Sequence, residues 1–172
     1  MAWKLIYQFR AVGTPRPGGS KRAVLNKKTG RIMVFDDCAE NKTWRQDVKE
    51  AAIQATRPGA ALLDGCLMLD VTFLLTRPTG HFGTGQNCAR IKGSAPPYPN
   101  TSPDATKLVR STEDALTGIL WVDDARITDQ TARKRYCDPG QAPGAEISIS
   151  VWERDPGAVL PAPQSPLFQV PQ

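Results

Sequence analysis

The sequence predicts an α+β domain: two main helices on a mixed, mostly antiparallel sheet. Three observations lead there. β-forming runs open the chain at 3–12 and close it at 127–136 and 146–152. Two segments, 40–56 and 103–118, carry apolar residues at intervals of three and four. The elements follow one another as strand, hairpin, helix, strand, long loop, helix, strand, strand. A chain of 172 residues with 40% hydrophobic content suits one domain with one modest core. The domain is expected over 1–154, with a proline-rich tail at 155–172.

The opening strand rests on Leu5, Tyr7 and Phe9 alternating with Lys4, Gln8 and Arg10, with Ile6 breaking the pattern. Gly13 and the stretch Pro15 to Gly19 then force a loop. Val24-Leu25 and Ile32 to Phe35 flank Asn26 to Gly30, which predicts a hairpin around a glycine-containing turn. In the first helix Trp44, Val48, Ala51, Ala52 and Ala55 form the apolar stripe, and Arg57-Pro58-Gly59 ends it. Residues 66–76 read as a long, largely buried strand, in which Asp70 takes an edge or solvent-side position. The second helix is expected to start with Ser102 as cap and Pro103 as first residue. Ala105, Leu108, Val109, Thr112, Ala115 and Leu116 give it an apolar face, and Gly118 closes it. In the last strand Ile147, Ile149 and Val151 alternate with Ser148, Ser150 and Trp152. From Asp155 to Gln172 there are five prolines and one charged residue, the composition of a disordered tail or a docking segment.

Composition narrows the function classes. No run of 18 apolar residues is present, so no membrane span is expected. Arg10 interrupts the apolar N-terminal stretch, which argues against a signal peptide and for a cytoplasmic protein. The four cysteines, Cys38, Cys66, Cys88 and Cys137, form no C-x-x-C pair and read as reduced thiols. The net charge of +5 is compatible with nucleic-acid binding without requiring it.

Within that balance the charge is uneven. Residues 14–35 hold Arg16, Lys21, Arg22, Lys27, Lys28 and Arg31 and no acid. This is either a solvated loop and hairpin or an arm that binds phosphates. Residues 77–102 form a long irregular segment with Arg77, Arg90 and Lys92, again without an acid. A loop of that length inside a compact domain is commonly functional or disordered.

The candidate chemistry follows directly. At about 100° per residue, Asp104, Lys107, Ser111 and Asp114 fall within roughly 80° of one another, with Arg110 just outside. Asp123 and Asp124 come soon after the helix. Adjacent carboxylates repel, and a divalent cation such as Mg²⁺ or Mn²⁺ removes that cost. Such a centre would suit phosphodiester hydrolysis, because bound metal supplies charge neutralisation and an activated water. A polar turn beside ordinary helix-surface acids explains the same residues, and by themselves they leave both readings open.

The stretch Pro103 to Leu116 (PDATKLVRSTEDAL), followed by Trp121-Val122-Asp123-Asp124-Ala125-Arg126-Ile127, resembles the signature of RusA-family Holliday-junction resolvases. That signature runs D-x-D-N-L-x-K, then D-A-L, then a hydrophobic residue and D-D-x-x-V. Gly13-Thr14-Pro15, Gly19-Ser20-Lys21-Arg22, Trp44-Arg45 and His81 to Gly85 also resemble phage and prophage members. The resemblance spans roughly residues 5 to 153. It implies an endodeoxyribonuclease that works as a homodimer on branched, four-way DNA, making paired nicks with Mg²⁺, for which Mn²⁺ substitutes. It implies Asp104, Asp123, Asp124 and Arg110 as catalytic residues, and Asp104, Asp114, Asp123 and Asp124 as metal ligands. DNA contacts fall to Arg16, Lys21, Arg22, Lys27, Lys28, Arg90, Lys92, Lys107 and Arg110.

Three positions depart from the pattern. Arg110 stands in place of a lysine, Thr106 in place of the second motif aspartate and Lys107 in place of the asparagine. Arginine keeps the charge but cannot give up a proton near neutral pH. The loss at Thr106 raises the alternative of a weakened or inactive junction-binding protein. A further alternative is an interaction module that docks a partner through its proline-rich tail.

Overall fold

The computed structural model describes residues 2–18, 21–26, 29–36 and 40–153, with backbone alone for 21–24 and 33–36. The expected tail therefore lies outside the described residues. The element order matches the sequence reading: β1 (Ala2–Val12), β2 (Lys21–Leu25), β3 (Ile32–Asp36), α1 (Asn41–Ala55), β4 (Leu67–Leu75), α2 (Ala105–Leu116), β5 (Ile127–Tyr136) and β6 (Gly144–Glu153). The main sheet runs β1-β6-β4-β5, while β2 and β3 pair separately as an antiparallel hairpin. β6 is antiparallel to both β1 and β4, and β4 is parallel to β5. The sheet is thus mixed, in an α+β domain. The parallel pair needs a crossover connection, and the chain from 76 to 126, including α2, supplies it.

Period-two alternation decides which sheet face is covered. Leu67, Leu69, Val71 and Phe73 of β4 and Ala145, Ile147 and Ile149 of β6 are fully buried. Against them pack Trp44, Val48 and Ala52 of α1 and Leu108, Val109, Ala115 and Leu116 of α2. The intervening side chains lie on the other face. There Arg133 holds Asp70 through both carboxylate oxygens, at 2.5 and 2.7 Å. Asp70 is thus on the solvent side, as expected, although β4 is an inner strand. The pair is about 40% exposed on each side, so it contributes little to stability.

One close approach constrains β1 against β6. A Cβ placed on Gly144 would lie 2.1 Å from the Ala11 carbonyl oxygen. Gly144→Ala is therefore expected to force the strands apart and lower stability by about 1–3 kcal/mol. Urea unfolding checks it, and a midpoint equal to wild type contradicts the close approach.

The second helix begins later than its sequence suggests. Asp104, in extended backbone, is the N-cap, and Ala105 is the first helical residue. Ser102 and Pro103 belong to the preceding turn. The long 77–102 segment is irregular, as expected, but it is tied down. Arg77 donates to the Pro96 carbonyl at 3.0 Å and stacks 3.9 Å over the Tyr136 ring, and Lys92 Nζ donates to the Gly80 carbonyl at 2.8 Å. Cys66, Cys88 and Cys137 are free thiols. Among the described residues no helix is long and apolar enough to cross a membrane.

Candidate active site

The acidic pair sits on a buttressed turn. Trp121 and Leu120 are buried in the core, and the Trp121 indole N–H donates to the Thr117 hydroxyl at 3.1 Å. Gly118, with φ of 78°, sits just past the helix end and donates its N–H to the Trp121 carbonyl at 2.8 Å. Leu63 clamps the same turn from outside. Its N–H donates to the Leu120 carbonyl at 2.8 Å and its carbonyl accepts from Val122 at 3.2 Å. The chain then turns out to solvent, and Asp124–Arg126 make one 3₁₀ turn that leads into β5.

The two aspartates have different tasks there. Asp123 Oδ1 accepts from the Ala125 backbone N–H at 2.8 Å and caps the turn. That hydrogen bond, with a second to Asp124, holds the Asp123 carboxyl below its usual range. Asp124 instead lines an open groove of about 320 Å³ with Glu113, Ala125, Ile127, Thr128 and Gln130. Glu113 is the half-buried member. The Gln130 side-chain amide donates to Glu113 Oε1. Burial, then the negative charges of Asp124 and Asp114, push the Glu113 carboxyl up, partly offset by Gln130 and Arg110.

The other expected residues lie elsewhere on α2. Asp104, at its N-terminus, is 3.5 Å from Lys107 Nζ. From Asp104 to Glu113 is nine residues, about 13 Å along the axis. Asp114 points to the α1 side, where Arg45 lies 3.7 Å from its carboxylate and donates to its backbone carbonyl at 3.1 Å. Ser111 is buried and donates to the Asn41 side chain. Asp123 and Asp124 are thus brought next to Glu113, while Asp104 and Asp114 are each engaged by a cation.

Among the expected DNA contacts, Arg90, Lys92, Lys107 and Arg110 are exposed. Arg16 is ion-paired to Glu40 at 2.5 Å. Lys27 and Lys28, and the side chains of Lys21 and Arg22, lie outside the described residues. The sequence reading missed Glu113 and Gln130. Glu113 was legible from helical spacing, three residues after Arg110 and seven after Thr106. Gln130 carried no signal, because only tertiary contact brings β5 beside α2.

Among the described residues no three His, Cys, Asp or Glu side chains converge as a metal cage. Two carboxylates sharing a groove still fit Mg²⁺, which keeps several waters and is commonly held by one or two carboxylates plus substrate phosphates.

The comparison with known families agrees with the motif. A family model described as Endodeoxyribonuclease RusA matches residues 13–150, from the loop after β1 to the body of β6. No curated protein gives a significant match. The matched span covers well over half of the chain and contains α2, the acidic turn and β5. The chain therefore belongs to the RusA family of endodeoxyribonucleases.

Proposed function

We propose that the protein is a metal-dependent, structure-selective endonuclease that resolves four-way and other branched DNA by paired nicking, as a homodimer in the cytoplasm. The observation that carries this reading is the solvent-open groove in which Asp124 faces Glu113, inside the matched family region. Asp124, with Asp123, Asp104 and Asp114 as the further candidates, would hold Mg²⁺ or Mn²⁺. When bound, the cation supplies charge neutralisation and an activated water. Arg110, exposed on the same side of α2 as Glu113, is placed to steady charge on the phosphate, as a fixed cation and not as a proton donor. Gln130 holds Glu113 in position. A two-fold dimer would match the two-fold symmetry of a four-way junction.

The test is cleavage of a synthetic four-way junction beside a matched linear duplex, in Mg²⁺ and in EDTA. Paired nicks in the junction alone, and only with Mg²⁺, are expected. Equal cutting of both substrates would overturn structure selectivity, and equal cutting in EDTA would overturn metal dependence. A second reading, a junction binder that no longer cuts, draws on Thr106 and on the ion pairs that occupy Asp104 and Asp114. It expects binding without nicks in either condition.

The basic hairpin gives an independent prediction. Neutralising Lys21, Arg22, Lys27 and Lys28 together should weaken binding to every DNA structure about equally. It should also flatten the plot of log affinity against log salt by about 0.9 for each phosphate that the protein no longer neutralises. A salt titration reads this, and an unchanged slope would mean that the arm does not touch the backbone.

A further inference from the structure

Thr106 leaves the helix without its second motif carboxylate, yet the same helix face is not without one. At about 100° per residue, Thr106, Arg110, Glu113 and Thr117 fall within roughly 60° of one another. All four are at least partly accessible, while Leu108, Val109, Thr112, Ala115 and Leu116 face the core. The hydrogen bond from Gln130 shows that this row borders β5 at Glu113. Asp104 and Asp114 belong to the row that borders α1, where Arg45 meets Asp114. We propose that Glu113 supplies the carboxylate that Thr106 lacks, and that Glu113 and Asp124 together hold the divalent cation. This rests on the metal-dependent endonuclease reading and assigns its second protein ligand.

Four features support the assignment. Glu113 and Asp124 line the same groove, whereas Asp104 and Asp114 are engaged by Lys107 and Arg45. Asp123, the remaining acid of the turn, is occupied in capping it. Glu113 has a neutral hydrogen-bond partner, the Gln130 amide, so two like charges share the groove without a bridging cation between them. Gln130 engages one oxygen of Glu113 and leaves the other for a ligand, the arrangement by which outer groups orient metal-binding carboxylates. Glutamate also reaches one methylene further than aspartate, which suits a ligand projecting from α2 towards the turn before β5.

The test uses the full-length protein and Mn²⁺ alone, read as free against bound Mn²⁺ by electron paramagnetic resonance, without DNA. Wild type is compared with Glu113→Gln, Asp124→Asn and Asp70→Asn, the last on the opposite sheet face. Glu113→Gln and Asp124→Asn should each weaken Mn²⁺ binding at least about tenfold, no less than loss of an outer-shell partner does, and Asp70→Asn should leave it unchanged. In junction cleavage, Glu113→Gln should raise the Mg²⁺ concentration for half-maximal rate in the same proportion. Circular dichroism melts establish that each variant folds; if Glu113→Gln does not, Glu113→Asp puts the same question with a shorter arm. Wild-type Mn²⁺ binding and Mg²⁺ demand in the Glu113 variant, with both lost in Asp124→Asn, would overturn the role of Glu113 and leave the endonuclease reading intact. Wild-type cutting that is as fast in EDTA as in Mg²⁺ would overturn both.

Discussion

Asp124→Asn is expected to cut a four-way junction about 10²–10³ times more slowly than wild type, the range for removing one preorganised charge-stabilising group. Junction binding should stay the same or tighten. Asparagine keeps the shape of the side chain while removing a negative charge from a groove that would have to approach phosphate. The pairing of effects matters more than either alone. A misfolded variant would lose binding as well as cleavage, so single-turnover rates and gel-shift affinities belong in the same experiment. If Asp124→Asn cuts at the wild-type rate, the acidic groove is not the centre of the chemistry. Asp123→Asn should behave differently, because Asp123 caps the turn with its side chain. Asparagine retains an acceptor oxygen for the Ala125 N–H, so the turn should persist.

Trp121→Ala should be the most destabilising single substitution near the site. Trp121 is fully buried, and its indole N–H bonds the end of α2. Truncation leaves a large cavity and is expected to cost about 3–5 kcal/mol, against a total that for most domains is only about 5–15 kcal/mol. Chemical unfolding of Trp121→Ala beside Trp152→Ala makes the comparison. Trp152 packs edge-on against Trp3 with ring centroids 5.1 Å apart and is 37% exposed, so its loss should cost clearly less. Equal losses from the two would mean that Trp121 does not anchor the turn.

The fold was largely legible because its elements carry strong periodicity. The alternation in β4 and β6 and the stripe of α2 each identify the buried face without reference to any other segment. Helix limits were less legible. Ser102 and Pro103 make a good cap and first turn by type, but the chain turns there and the cap falls on Asp104. The site was legible only in part. Asp123 and Asp124 announced themselves as an adjacent pair, and the structure places them beside α2. The wheel that grouped Asp104 with Asp114 was correct as helix geometry. It could not say which neighbour each side of α2 would meet. α1 took the Asp114 side through Arg45, and β5 took the Glu113 side through Gln130. Which acids share a site is thus a property of the packing around α2, and helix periodicity in the sequence does not contain it.

The clamp between Leu63 and the 120–122 segment has a dynamic consequence. The hydrogen bonds of Leu63 with Leu120 and Val122, together with burial of Trp121, join the acidic turn to the core. Releasing Asp123 and Asp124 from their place therefore requires Trp121 to leave the interior. Such an excursion belongs to the high-energy openings that approach global unfolding, rather than to the fraying of a surface loop. The amides of Leu63, Leu120 and Val122 should accordingly exchange with deuterium about as slowly as those of β4. The amides of Gly80 and Gly93, in the irregular 77–102 segment, should exchange orders of magnitude faster. Wear on the acidic turn would then register as loss of the whole fold, with no partly active population in between.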